Sequence, residues 1–447
     1  MIASLRQAIA GSGLWRDSAT VGLGLAAVKA AGAIKVVFLA RAFGASDELD
    51  AYLVALLLPS FVSEIVAGSF VGALVPGLID IRERRGMAAA ERVRASLLAV
   101  GVLALALLAV LLWMGSPVIL RLLASDFGSV KLALTHRIFV WLLPILPMSG
   151  LSIVWRATLN CEERFLTAAA APAMTPLLTI TALWLAAQST LPLSIWILPA
   201  AHLAGLTLEL VWLAAAMHRR SLGILPGWTG WDPEMRTVLM QHLPLVAVAA
   251  AANAGMLIDQ SMAASLGSGS VASFNYGTRL SAVAGGVAGG ALSTAALPRF
   301  SRMTAAQDRT GLRAALTGYG KLIALVVVPC ALLLIGVSDR LVRLVFQHGV
   351  LTGRSVDLIA SVQRWSLLQL PLVVFAAILV RLLSSFQSNE LLIRVALTGL
   401  ALNVALDVAL KQFMGLPGIA LAGSLVQLAT CGYLLVLVNR AIPPVRP

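Results

Sequence analysis

Charged residues are scarce in this sequence: they make up 12% of the 447 residues, whereas hydrophobic residues make up 59%. Soluble domains carry about 25% charged residues, so this composition excludes a large soluble core. The mean hydropathy of +0.92 points the same way. We therefore expect an all-α polytopic membrane protein, because a run of about 20 apolar residues crosses the bilayer as a helix.

Cysteines and acidic residues are also few. The three cysteines are dispersed without CxxC spacing, which favours single buried thiols over a disulfide framework or a zinc site. The 33 basic residues outnumber the 20 acidic ones. This excess does not indicate a nucleic-acid-binding domain, because the arginines lie between apolar runs rather than in a soluble basic segment.

Twelve apolar runs are long enough to cross a membrane. They are residues 19–42, 50–80, 95–115, 136–157, 166–188, 193–217, 236–265, 271–299, 317–337, 358–385, 391–411 and 416–438. Twelve spans place both termini on one side of the membrane. The termini and loops of that side hold 20 Lys and Arg residues and the opposite loops hold 8, which predicts cytoplasmic termini.

The chain also contains an internal repeat. A small-residue turn, a long glycine-containing helix, a proline and a basic loop follow the first span and recur after the seventh. Gly44 and Pro76 are 32 residues apart, and Gly267 and Pro298 are 31 apart. This predicts two pseudo-symmetric six-helix lobes. The N-lobe would be 1–220, the cytoplasmic linker 221–235 and the C-lobe 236–447, an arrangement typical of transporters that hold substrate between the halves.

Several basic residues fall inside predicted spans, and three of them are candidates for substrate binding. Lys29 and Lys35 lie in the first span and Arg279 in the eighth. A lysine near the middle of a span costs about 2.5–3.5 kcal/mol, so such a residue carries a functional hypothesis by default. Lys29 and Lys35 are six residues apart, about 120° around a helix, and can share one water-facing side. We interpret the three as a cationic cavity for an anionic headgroup.

Polar residues in and near the same spans could assist the cationic cavity or could instead pair with its lysines in a purely structural role. Asp50, Glu64 and Asn275 are the residues that we expect to support the cations. The alternative is structural: Lys35 could pair with Asp50 or Glu64, or extend its amine to the membrane surface.

Acidic and amide side chains form a second candidate site. Asp259 lies in the seventh span, and Asn403 and Asp407 lie in the eleventh at i, i+4 spacing, which puts them on one helix face. Two carboxylates and an amide oxygen suit sodium or a proton. The alternative is that each side chain caps a neighbouring polar group.

Four stretches carry a resemblance to a known family: "ARAFGASDELDAYLVALLLPSF", "GSFVGALVPGLIDIRERRG", "GSGSVASFNYGTRLSAVAGGVAGGALSTAALPRFSR" and "VFQHGVLTGRSVDLIA". The chain resembles the lipid II flippases, also called MviN or MurJ proteins, of the multidrug/oligosaccharidyl-lipid/polysaccharide exporter superfamily. The resemblance implies a monomeric alternating-access flippase of the bacterial cytoplasmic membrane. It would carry an undecaprenyl-diphosphate-linked saccharide to the outer leaflet for peptidoglycan synthesis, with sodium or a proton as coupling ion and no other cofactor.

The resemblance extends to site residues, with departures. The family's helix 1 arginines fall on Lys29 and Lys35, and its helix 8 arginine falls on Arg279, whose acidic neighbour is replaced by Thr278. The family's sodium site falls on Asp259, Asn403 and Asp407. Lysine lacks the planar fork that suits diphosphate, so a flippase for an exopolysaccharide, capsule or O-antigen repeat unit stays open.

Two other classes fit the sequence less well. An enzyme acting on lipid-linked sugars needs a large outward loop with catalytic acids or histidines, whereas the predicted outward loops are short. A cation-coupled drug exporter would place acidic residues, rather than Lys29 and Lys35, in the first half's cavity.

Overall fold

Helices account for all regular secondary structure that the computed structural model describes. The described residues are 13–190, 192–228, 230, 233–347, 349–386 and 389–441. This agrees with the all-α class expected from the composition, since backbone groups in hydrocarbon must be satisfied inside the same segment or in a closed barrel.

The described part of the first half of the chain contains eight α-helices and one 3-10 turn. In order they are α1 (Gly13–Phe43), α2 (Asp47–Arg85), α3 (Met87–Leu123), α4 (Ser129–Leu142), α5 (Ile145–Cys161), α6 (Phe165–Ala170), the 3-10 turn Ala171–Ala173, α7 (Met174–Gln188) and α8 (Ile197–His218).

Among its described residues, the second half contains eight more α-helices and one π-helical turn. They are α9 (Pro233–Ala264), α10 (Ser270–Ala305), α11 (Arg309–Leu322), the π turn Ile323–Val327, α12 (Val328–Phe346), α13 (Gly353–Leu367), α14 (Leu370–Ser385), α15 (Asn389–Met414) and α16 (Leu416–Ala441).

Every predicted span coincides with a helix or a short series of helices. Within the described residues, ten segments are long and apolar enough to cross a membrane. The helices α1 and α9 occupy the first and seventh predicted spans, and parts of both lie outside the described side chains. The predicted count of twelve is therefore consistent with the structure.

Proline explains interruptions that the hydropathy pattern did not show. The fourth predicted span is two helices, α4 and α5, which meet at Leu143 and Pro144. The fifth begins with α6 and passes through a 3-10 turn that contains Pro172 before α7 starts. Proline lacks a backbone N–H and fixes φ, so it interrupts a helix without making the segment less apolar.

One compact unit comprises residues 1–38, 55–120 and 133–249. Its core is a cluster of buried aliphatic side chains from α2, α3, α5 and α8, with Leu97, Leu98, Ile153, Leu159 and Leu213 at the centre. Gly205 of α8 packs so closely on α7 that an added Cβ would collide with the Thr175 backbone. Small residues at such contacts let membrane helices approach closely.

A second compact unit comprises residues 39–54, 121–132 and 250–447. Its larger core joins α10, α12, α14 and α16 around Phe300, Val374, Leu379 and Leu382. A smaller cluster joins the two early segments to the later helices through Val54, Phe127, Ala264 and Val271. The lobe boundaries expected from the sequence, 1–220, 221–235 and 236–447, stay a prediction.

Candidate substrate and ion sites

The acidic and amide residues predicted to bind an ion lie together in the second unit. Asp259 of α9 accepts a hydrogen bond from Asn403 Nδ2 of α15, at 3.0 Å. Asn403 and Asp407 are buried, and Asp259 is half-buried. The helix spacing and the packing of α15 therefore place the three side chains in one cluster.

Buried oxygens in this cluster have no hydrogen-bond donor in the part of the chain that is described. They are both carboxylate oxygens of Asp407 and the amide oxygen of Asn403. A buried oxygen without a donor costs about 1–3 kcal/mol, and more if it is charged. Lys411, one turn further along α15, donates instead to Ser265 Oγ at 2.7 Å. The cluster is thus an acceptor-rich site, and a cation or proton would satisfy it.

The two lysines of α1 belong to the first unit, and both are half-buried. Lys35 interacts electrostatically with His202 of α8. Lys29 makes no hydrogen bond or ion pair with any residue that the structure describes. A lysine at membrane depth with no described carboxylate partner leaves its amine available to an anionic ligand.

Arg279 and Asn275 lie one turn apart on α10 in the second unit, and both are half-buried. Their i, i+4 spacing places them on the same helix face. Glu64 of α2, in the first unit, is exposed. The supporting roles expected for Asn275 and Glu64 stay predictions.

Asp50 has a different environment from the one expected. Its buried carboxylate accepts hydrogen bonds from the backbone N–H groups of Gly269 (2.8 Å) and Ala272 (2.9 Å), and from Lys131 Nζ (2.9 Å). All four residues belong to the second unit. Gly269 and Ala272 lie at the N-terminus of α10, where free N–H groups and the helix dipole favour a negative charge. We refer to this arrangement as the Asp50 cap.

Neighbouring contacts hold the Asp50 cap in place. Gly269 has φ +74°, and an added Cβ would collide with the Ala45 carbonyl, so only glycine fits there. The Tyr276 hydroxyl donates to the Gly44 carbonyl at 2.9 Å. Lys131 also binds Asp47 at 2.6 Å. These contacts join residues 39–54 and 121–132 to the start of α10.

Sequence reasoning missed Lys131 and a buried pair in the first unit. Arg156 Nε of α5 lies 3.9 Å from Glu209 Oε1 of α8, and Ser152 Oγ donates to the same carboxylate. The available signals were Arg156, inside the fourth predicted span, and Glu209, inside the sixth. The sequence does not pair these two charges, because a charge inside one span does not identify its partner in another.

The family model for "Lipid II flippase MurJ" matches residues 39–445, nearly the whole chain. The chain belongs to the MurJ family of lipid II flippases. Among curated relatives, a probable lipid II flippase MurJ of Rhizobium meliloti (strain 1021) is 26% identical over 419 residues, which are 92% of this chain and 77% of that protein. The lipid II flippase MurJ of Burkholderia cenocepacia is 26% identical over 341 residues, covering 74% of this chain and 65% of the relative.

Solved structures show the same fold at low identity. A lipid II flippase MurJ structure, in an inward closed conformation, superposes with a TM-score of 0.79 at 18% identity, covering 94% of this chain and 87% of the other. An inward-facing multidrug resistance MATE family transporter of the MOP superfamily also superposes with a TM-score of 0.79. The identity is 14%, and the match covers 94% of this chain and 97% of the other. These likenesses confirm the predicted fold class, and family membership confirms the resemblance stated above.

The Asp50 cap generates a stability prediction. In Asp50→Asn the buried charge is lost, Lys131 loses its buried partner, and the backbone N–H groups of Gly269 and Ala272 both lose a charged acceptor. We expect the free energy of unfolding to fall by about 2 kcal/mol or more, since breaking a buried pair leaves its partner desolvated. The measurement is the thermal unfolding midpoint of purified protein in detergent.

Asp47→Asn is the matched control, because Asp47 binds the same lysine but is largely exposed. Exposed ion pairs are worth less than about 1 kcal/mol, so its midpoint should stay near that of the wild type. Equal midpoints for the two variants would refute the structural importance of the Asp50 cap.

Proposed function

We propose that this chain is a flippase that carries lipid II from the inner to the outer leaflet of the cytoplasmic membrane for peptidoglycan synthesis. The observation that carries the proposal is the family match over residues 39–445, which spans both halves of the transporter fold. The family consists of flippases rather than enzymes, and its substrate is a lipid-linked saccharide.

A second candidate substrate follows from the cations of α1. Lys29 and Lys35 occupy positions where the resemblance implies arginines, and a lysine amine binds phosphate as a point charge rather than as a bidentate fork. This feature favours a flippase for another polyprenyl-diphosphate-linked saccharide, such as an exopolysaccharide, capsule or O-antigen unit. Both candidates share the diphosphate and differ in the sugar.

Lys29, Lys35 and Arg279 are the proposed diphosphate-binding residues. The half-burial of all three and the absence of a described partner for Lys29 support this role. Charge-assisted hydrogen bonds to phosphate are about twice as strong as neutral ones, and partial desolvation strengthens them further. The protein is proposed to act as a monomer.

The acceptor-rich cluster of α9 and α15 is the proposed coupling-ion site. Asp259, Asn403 and Asp407 would hold sodium, or Asp407 a proton, because the buried oxygens of Asn403 and Asp407 have no described donor and Asp259 lies beside them. Binding would reduce the negative charge of the cluster and so favour the conformation in which the oxygens lie closest together. A ligand shifts a conformational equilibrium only by its differential affinity for the two states.

The proposed orientation has both termini in the cytoplasm, since Lys and Arg number 20 on that side and 8 on the other. It places the loop after α2 inside the cell and the α7–α8, α9–α10 and α12–α13 loops outside.

The first test measures flipping of the substrate itself. Proteoliposomes containing the purified protein are given fluorescent lipid II or a labelled lipid-linked exopolysaccharide unit, and arrival in the opposite leaflet is followed by quenching. Lys29→Ala and Arg279→Ala should each lower the rate by about tenfold or more, because a desolvated phosphate loses a charged partner. Lys29→Arg should keep or raise the rate, and Lys35→Ala should have a smaller effect.

Wild-type rates in both Lys29→Ala and Arg279→Ala would disprove the diphosphate role. If the protein transports the exopolysaccharide unit in preference to lipid II, the second candidate substrate is correct and lipid II is not the substrate.

The ion site is tested in the same vesicles. Asp259→Asn and Asp407→Asn should each abolish the dependence of the flipping rate on sodium or pH, because the amide cannot supply a negative oxygen. Asp357→Asn, which alters an exposed carboxylate paired with Arg343, is the control. If both cluster variants respond to sodium and pH as the wild type does, the coupling role is wrong.

Topology is tested by single cysteines in a background where Cys161, Cys330 and Cys431 are replaced by serine. Cysteines at Ser189, Ser268 and Gly353 should react with a membrane-impermeant maleimide in intact cells, and a cysteine at Gly86 should react only after lysis. External labelling at Gly86 would reverse the proposed orientation.

A further inference from the structure

A basic pocket lies at the end of α8 in the first unit, apart from the residues proposed to bind substrate. Its cavity volume is about 350 Å³, and it is lined by Arg164, Arg219, Arg220, Trp212 and Thr167 together with small and apolar side chains. No carboxylate is among the lining residues. We call this cavity the arginine pocket.

The arginines of this pocket are available to a ligand. None of Arg164, Arg219 and Arg220 forms a side-chain hydrogen bond or an ion pair with another described residue. By contrast, nearby Arg82 pairs with Glu162 at 2.8 Å. Three guanidinium groups outweigh the partial negative charge, about half an elementary charge, at the C-terminus of α8, so the pocket attracts an anion.

An exposed apolar stripe leads along α8 to the arginine pocket. Leu208, Trp212, Ala215 and Arg219 follow at i, i+4, i+7 and i+11, which places them on one helix face. Leu208 is 44% exposed and Trp212 is 46% exposed. Trp212 Nε1 donates to the Thr167 carbonyl at 3.4 Å, which positions the indole beside the arginines.

The dimensions of this surface match one leaflet. Leu208 and Arg219 are about 17 Å apart along the helix at 1.5 Å per residue, and half of the hydrocarbon core is about 15 Å. Basic pockets between membrane helices on the cytoplasmic side bind anionic headgroups. A soluble phosphate would use the arginines but would leave the apolar stripe uncovered.

We propose that the arginine pocket binds the phosphate of an anionic phospholipid, whose acyl chain lies along Leu208, Trp212 and Ala215. With cytoplasmic termini, this lipid belongs to the inner leaflet. The site shares no residue with the proposed diphosphate or ion sites, so it adds a structural lipid to the flippase and leaves its substrate unchanged.

The test compares lipid binding by the full-length protein in detergent using native mass spectrometry. Dioleoyl phosphatidylglycerol and dioleoyl phosphatidylcholine are added separately. The wild type should bind phosphatidylglycerol in preference, and the triple variant Arg164→Gln/Arg219→Gln/Arg220→Gln should bind it about tenfold or more weakly, because each basic residue contributes to headgroup affinity. A triple lysine variant at the same positions should keep the preference.

Arg299→Gln/Arg302→Gln/Arg309→Gln is the matched control, since it removes three exposed arginines from one predicted cytoplasmic loop. It should bind as the wild type does. Thermal unfolding midpoints verify that both triple variants are folded.

Three results would overturn the proposal: equal loss in the control, equal binding of phosphatidylcholine, or unchanged binding by the glutamine variant. Displacement of bound lipid by millimolar glycerol 3-phosphate would also overturn it, because the site would then recognise a soluble phosphate.

Discussion

The constraint on which the rest of the structure depends is the cost of a polar group in hydrocarbon. Backbone N–H and C=O groups avoid this cost by bonding to one another in helices. This is why the described regular structure is helical throughout. A charged side chain cannot avoid the cost of desolvation by itself, so it needs a partner of opposite charge, a water-filled space or a ligand. The way in which each buried charge is satisfied therefore separates structural residues from functional ones.

Asp50 and Glu209 are buried carboxylates that find hydrogen-bond donors or a basic partner inside the protein. Asp50 receives two backbone N–H groups and the Lys131 amine, and Glu209 receives Ser152 and lies near Arg156. A carboxylate with several donors has little left for a ligand, so these residues stabilise helix positions.

Much of the fold follows from the sequence because apolar runs of helical length are a strong signal. The spans and the i, i+4 relation of Asn403 and Asp407 depend on local spacing alone, and the structure agrees with both. The division near Pro144 was missed because proline interrupts a helix without lowering its hydropathy. Lys131 was missed as the partner of Asp50 because 81 residues separate them along the chain, and sequence spacing says nothing about such contacts.

Whether a buried polar group has a partner within the protein also distinguishes the roles of the remaining polar groups. The oxygens of Asp407 and Asn403 are buried without donors, so the second unit has a negative site that a cation or proton would complete. Lys29 has no described partner at membrane depth, and the arginine pocket presents three guanidinium groups, also without a described partner, beside an apolar stripe. The two positive sites differ in depth along the helices. Lys29 lies in the interior of its span, where a headgroup arrives only by transport, whereas the arginine pocket lies at the end of α8, where headgroups of the surrounding leaflet are always present. The position of Lys29 therefore suits a transported substrate, and the position of the arginine pocket suits a lipid that stays bound.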